Sequence, residues 1–127
     1  MLKVALVFLG SGVGGVLRYG LSGWVQKSAN GTFPFGTLVV NVLGCLAIGF
    51  LGAGFASRLM IREEYRVALI VGVLGGFTTF SAFGAETFTL LLNGQFVSAL
   101  INILASVGLG LMAVWAGYHL AEHWLGA

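Results

Sequence analysis

The sequence predicts an all-α membrane protein: four transmembrane helices in a single domain, with the third helix broken in mid-membrane. Three observations predict it. The 127 residues are 58% hydrophobic and only 8% charged, against roughly a quarter charged in soluble domains, and the mean hydropathy is +1.01. Apolar residues fall into four runs at 4–24, 35–56, 67–92 and 96–120, each long enough to cross about 30 Å of hydrocarbon at about 1.5 Å per residue. The third run carries Gly75-Gly76-Phe77-Thr78-Thr79-Phe80-Ser81 and then Glu86 in its middle, a polar, glycine-bearing stretch that no simple lipid-facing helix needs.

In the first span, Gly10 and Gly14 stand as a GxxxG pair among further glycines, giving a small face for close approach of another helix. Arg18 lies inside the same span. It has two readings: a side chain snorkelling toward the interface marked by Trp24 and Lys27, or an anion attractor at a vestibule. This span differs from a signal peptide in its apolar length and in having no clean small-residue cleavage site. Residues 26–32 read as a short polar loop with an Asn30-Gly31 turn, and Pro34 suits the first turn of the next helix.

The second span places Thr37 and Asn41 four apart on one face. Asn41 lies deep enough either to bond a neighbouring helix or to offer amide N–H groups to an anion. Cys45, the single cysteine, excludes an internal disulfide and reads as a small packing residue. Residues 57–66 form the one strongly charged connection, read as solvated.

The third span is expected to open at Gly75-Gly76, since glycine is costly inside helices and free of Cβ restriction. A β-branched residue at Gly75 should therefore resist the opened geometry. Carbonyls freed at membrane depth must be buried in protein or line a wet or ion-binding cavity. An ionisable residue there, Glu86, is a functional candidate by default. Gly72 and Gly76 make a second close-packing face. Phe80 and Phe83 lie near each other, and Thr79, Phe83 and Glu86 share a face. An ion site is the reading that accounts for this stretch.

Asn93-Gly94 is a tight turn. In the fourth span Asn102, Ser106 and Gly110 form a polar, small stripe turned to other helices, and Trp115, Tyr118 and Trp124 suit an interfacial belt. His119 and His123 are four apart, without a third ligand for a metal. Four spans put both termini on one side together with Lys3, Arg58, Arg62 and Arg66, and leave Lys27 on the other. The positive-inside rule then leans toward cytoplasmic termini. A net charge of +2 gives no footprint for nucleic acid. The glycines near Gly10 sit in a membrane span, so a dinucleotide reading fails on context. No phosphate loop or nucleophile–histidine pair suggests an enzyme.

Three segments carry a family resemblance: Gly14-Gly15-Val16-Leu17-Arg18-Tyr19, Gly36-Thr37-Leu38-Val39-Val40-Asn41-Val42-Leu43-Gly44, and Gly75-Gly76-Phe77-Thr78-Thr79-Phe80-Ser81 followed by Glu86. In this order, length and four-span plan the chain resembles a Fluc-type fluoride channel of bacteria. The resemblance implies a multi-pass protein of the bacterial inner membrane. It implies an antiparallel, dual-topology homodimer with two pores that pass fluoride and exclude chloride. It further implies a structural sodium ion at the dimer centre, held by backbone carbonyls, here those of Gly75 and Thr78. Phe80, Phe83 and Asn41 would line the pore, with Thr37 on the face of Asn41. Ser81, Thr79 and Glu86 would make a polar track beside it. The Asn102/Ser106 stripe carries over to the same pathway, and Arg18 to the entrance or the dimer.

Two rivals fare worse. A proton-coupled exporter of the small multidrug resistance type shares size and dimeric build, but keeps its carboxylate in the first span, where this chain has Arg18. A non-transporting assembly subunit would leave the Thr37/Asn41 and Phe80/Phe83 faces without purpose.

Overall fold

The computed structural model describes residues 1–126. Its elements are α1 (Leu2–Ala29), α2 (Phe35–Ser57), α3 (Glu63–Val67), a π-helical stretch (Ala68–Leu74), α4 (Gly75–Phe77), α5 (Phe80–Leu92) and α6 (Phe96–Leu125). Among the described residues there is no strand. Four helical segments are long and apolar enough to cross a membrane: Leu2–Ala29, Phe35–Ser57, Glu63–Leu92 and Phe96–Leu125.

The helices outrun the expected spans at several ends. Residues 26–29, read as loop, continue α1, and the turn comes at Asn30, whose left-handed φ of 45° caps it. The connection 30–34 is organised by Gln26. Its Nε2 donates to the carbonyls of Gly31 (3.1 Å) and Phe33 (3.0 Å), and its Oε1 accepts from the Gly36 amide (3.1 Å). Gly94, with φ 73°, makes the turn between α5 and α6. At the opposite end of the bundle, Lys3 Nζ meets Glu63 Oε1 at 2.9 Å. That bridge places the N-terminus beside α3; of the 57–66 stretch read as a connection, only residues 58–62 lie outside helices.

Packing follows the glycines. α1 lies chiefly along the first half of the third segment, and α2 along α6. A Cβ on Gly10 would stand 2.8 Å from the Ala68 carbonyl oxygen and 3.3 Å from Gly72 Cα; on Gly14 it would strike the Val73 carbonyl and on Gly76 the Ser11 carbonyl. The two small faces read from the sequence therefore meet one another, as helices in lipid do when backbones approach. The α2–α6 seam uses Gly49 against the Val114 carbonyl and Gly117 against the Leu46 carbonyl. The buried apolar residues are few and mostly small: Val40, Ala53, Leu90, Ala99, Ala113 and Ala121. Large apolar side chains such as Phe8, Val16, Trp24, Leu104 and Leu111 face outward, which suits a surface bathed by lipid or covered by another chain.

The opening expected at Gly75-Gly76 is corrected. Gly75 is helical, with φ −63° and ψ −38°. The residues outside helical geometry are Thr78 (φ −89°, ψ 156°) and Thr79 (φ −152°, ψ 116°). Gly76 is held in its helix by the close contact with Ser11. Thr78 ends the turn by donating both its amide and its hydroxyl to the Leu74 carbonyl, each at 2.9 Å. Thr79 then caps α5, its Oγ1 accepting from the Ala82 amide at 3.2 Å. Threonine hydroxyls compete for backbone groups in this way, and here they outweigh glycine's flexibility in choosing where the helix stops.

Candidate functional site

A cavity of about 400 Å³ lies where α2, the Thr78–Thr79 step, α5 and α6 come together. Its wall includes Asn41, Gly75, Thr78, Thr79, Phe80, Phe83 and Ser106. Seven of the residues singled out in the sequence thus share one space.

Asn41 is tied to a single partner. Its Oδ1 accepts from the Thr79 amide at 2.8 Å, and its Nδ2 donates to the Thr79 carbonyl at 3.0 Å. The side chain thus mimics a neighbouring peptide and satisfies both backbone groups of a residue that has left the helix. One of its two N–H bonds remains for other use. Of its two readings, the bond to a neighbouring helix segment is present in the structure, and a donor is left over.

The same pairing frees an acceptor. In an unbroken helix the Thr79 amide would bond the Gly75 carbonyl; here it goes to Asn41. Gly75 and Thr78 both border the cavity. Among the described residues no group of three or more His, Cys, Asp or Glu is placed to hold a metal.

Phe80 and Phe83 stand 5.5 Å apart between ring centroids, tilted by 46°. Phe80 is 84% exposed, and Phe83 is half-buried. Ser81 reaches Thr79, with 3.2 Å between their hydroxyl oxygens. Thr37 and Glu86 do not border the cavity; they form the next polar contact along the seam between α2 and α5. Thr37 Oγ1 donates to Glu86 Oε1 at 2.7 Å, while Glu86 Oε2 is buried without a partner among the described residues. Thr37 and Asn41, four apart on α2, therefore engage Glu86 and Thr79 in turn.

Asn102 is not on the cavity wall. It is 2% exposed, and its Nδ2 donates to Thr87 Oγ1 at 2.9 Å. Ser106, one turn on, does border the cavity and lies 3.5 Å from Asn102 Oδ1. Thr87 was missed by sequence reasoning. The signal available was its spacing of four from Phe83, which the neighbouring Glu86 overshadowed. Cys45, read as packing, also borders the cavity. Arg18 is half-buried on α1, apart from this cavity, and makes no hydrogen bond or ion pair among the described residues. His119 Nδ1 lies 2.7 Å from Glu122 Oε2 at the far end of α6.

Comparison with known proteins adds to this geometry. Residues 5–118 match the model of a family described as CrcB-like protein, Camphor Resistance. A relative from Paramagnetospirillum magneticum is 45% identical over 120 residues, covering 93% of this chain and 94% of its own. One from Rhizobium meliloti is 48% identical over 117 residues, covering 92% and 94%. One from Geobacter metallireducens is 42% identical over 123 residues, covering 97% and 99%. Each of the three is named a fluoride-specific ion channel, FluC.

Proposed function

The chain belongs to the CrcB-like family, and on that premise we propose that it is a fluoride-selective channel letting fluoride leave the cytoplasm passively. Its relatives are ion channels, not enzymes. The proposed assembly is an antiparallel, dual-topology homodimer in the bacterial inner membrane, with two pores and a central structural sodium ion. The observation that carries the reading is the convergence of Asn41, Phe80, Phe83 and Ser106 on one cavity beside the Thr78–Thr79 step.

The chemistry of the wall supports it. Fluoride is small and strongly hydrated, so a pore has to replace water with donors. The second Asn41 N–H and the hydroxyls of Ser106 and Thr79 are within the cavity wall. The edge of a phenyl ring is the positive part of its quadrupole, so Phe80 and Phe83 can meet an anion edge-on while their bulk narrows the path for chloride. Several weak contacts in series allow the ion to leave as well as enter. Thr37, Glu86 and Ser81 would continue the route as its polar track, with Asn102 supporting it from α6 and Arg18 drawing anions toward the mouth.

The sodium fits the donor set. The Gly75 carbonyl is released from its helical bond, and Thr78 borders the same space. Two such oxygens from each of two chains would hold the ion without side-chain charge. When bound it would supply a fixed positive charge and join the two subunits.

The test is fluoride efflux from liposomes containing the purified protein, with chloride as the control ion. Rapid fluoride release with chloride retained is the expected result. Release of neither ion, or of both alike, would end the proposal.

A further inference from the structure

Thr87 and Asn102 form a buried pair whose tie to the Phe83 peptide the channel reading does not account for. Thr87 is 7% exposed and Asn102 2%. Thr87 Oγ1 donates to the Phe83 carbonyl at 2.7 Å and accepts from Asn102 Nδ2 at 2.9 Å. The bonds run in one direction, from the α6 amide through the threonine hydroxyl to the peptide of Phe83. Asn102 Oδ1 faces the Ser106 hydroxyl at 3.5 Å, so the same amide reaches toward both walls of the cavity.

Polar side chains bonded across a helix contact are a recognised way to join helices in lipid. An asparagine buried to this degree is costly unless it is bonded. A threonine bonding back to the carbonyl four residues earlier tends to bend its helix. Here that carbonyl belongs to the residue whose ring borders the cavity. α5 also meets α6 over a smaller surface than α2 does, so few other contacts fix where α5 sits against α6.

We propose that Thr87 and Asn102 are positioning residues for the Phe83 ring, anchoring its peptide to α6 and setting how the ring edge faces the cavity. The proposal rests on the channel reading for its effect on transport. Neither residue touches the ion.

The experiment compares Thr87→Val, which keeps the shape without the hydroxyl, with Thr87→Ser, which keeps the hydroxyl. Fluoride efflux is measured per assembled dimer, alone and in a Phe83→Ile background. A second readout needs no transport: the fluorine resonance of para-fluorophenylalanine in place of Phe83, recorded without added fluoride. Thr87→Val should lower efflux by roughly tenfold, the scale of one lost buried hydrogen bond, and should shift or split the resonance. Thr87→Ser should behave as the parent. In the Phe83→Ile background Thr87→Val should bring no further loss. An unchanged resonance, unchanged efflux per dimer, or an equal loss with and without the ring would each overturn the proposal. If the parent protein itself released no fluoride, the channel reading would fail, and the resonance alone would decide the positioning role. Should Thr87→Val not assemble, Asn102→Leu cuts the same tie from α6, with a shifted resonance supporting the proposal and an unchanged one overturning it.

Discussion

Asn41 and Thr79, thirty-eight positions apart in the chain, are joined by two hydrogen bonds that use both backbone groups of the threonine. One side chain thus stands in for the helical acceptor that the Thr79 amide has lost. Asn41→Asp would keep an acceptor for the Thr79 amide but remove the donor to its carbonyl. It would also set a negative charge on the cavity wall. Fluoride efflux should nearly vanish, and the thermal midpoint should fall modestly, through loss of one hydrogen bond worth about 0.5–1.5 kcal/mol. Parent-like efflux at neutral pH would show that Asn41 serves neither the step nor the ion.

The two phenylalanines give a second expectation. Replacing Phe80 or Phe83 with Ile keeps most of the bulk and removes the polarised ring edge. Fluoride efflux should drop by roughly tenfold if each edge contributes on the scale of aromatic edge contacts. Gel filtration should show the same assembly as the parent. Full efflux from both variants would remove the ring edges from the account.

Neighbouring glycines should respond in opposite ways. A Cβ on Gly76 would strike the Ser11 carbonyl, whereas on Gly75 it meets nothing nearer than the Ile70 carbonyl at 3.9 Å. Gly76→Ala should destabilise by about 1–3 kcal/mol through overpacking and lower the yield of folded protein. Gly75→Ala should assemble normally. The reverse order in thermal melting would mean that α1 does not pack against α4 as described. The severe effect expected from the sequence for a β-branched residue at Gly75 also weakens, since Gly75 is already helical.

The sodium proposal is tested by exchanging all sodium for a large organic cation. Efflux and dimer stability should both decline and recover on adding sodium back. Values identical in the two media would remove a structural cation from Gly75 and Thr78.

Dual insertion, as proposed, makes the charge distribution testable. The Lys3–Glu63 bridge gathers the N-terminus and α3 at one end, while Lys27 lies on α1 toward the other. Two lysines added at the Asn93-Gly94 turn should bias insertion and lower the yield of antiparallel dimers. A C-terminal tag on the unmodified protein should be reachable from both membrane faces; labelling from the cytoplasm alone would contradict dual insertion.

The four long helices and the glycine faces were legible because membrane packing writes them in composition and in four-residue spacing. The spacing marked Gly10/Gly14 and Gly72/Gly76 as two small faces; that they meet one another came from the structure. The stopping point of α4 was not legible. Glycine permits a helix to open, but its own contacts decide whether it does, and Gly76 is pinned by a neighbour remote in the chain. The partners of Asn41 and Asn102 were hidden for the same reason. Spacing shows which face a side chain occupies, not which residue of another helix stands opposite. Thr87 illustrates the cost: its hydroxyl matters only because Asn102 lies across from it.

The pairing of helices out of chain order bears on how the molecule is made. α1 finds its main partner only after α2 has been synthesised, and α2 waits for α6, the last element of all. Until its partner is made, each bare glycine surface, Gly14 on α1 awaiting Val73 and Gly49 on α2 awaiting Val114, has nothing to lie against. Growth of the chain at the ribosome therefore cannot complete the bundle stepwise from its N-terminus. A chain cut short at the Asn93-Gly94 turn would insert three segments and leave α2 without its principal neighbour, so loss of the final helix should send the whole product to degradation rather than yield a smaller folded form.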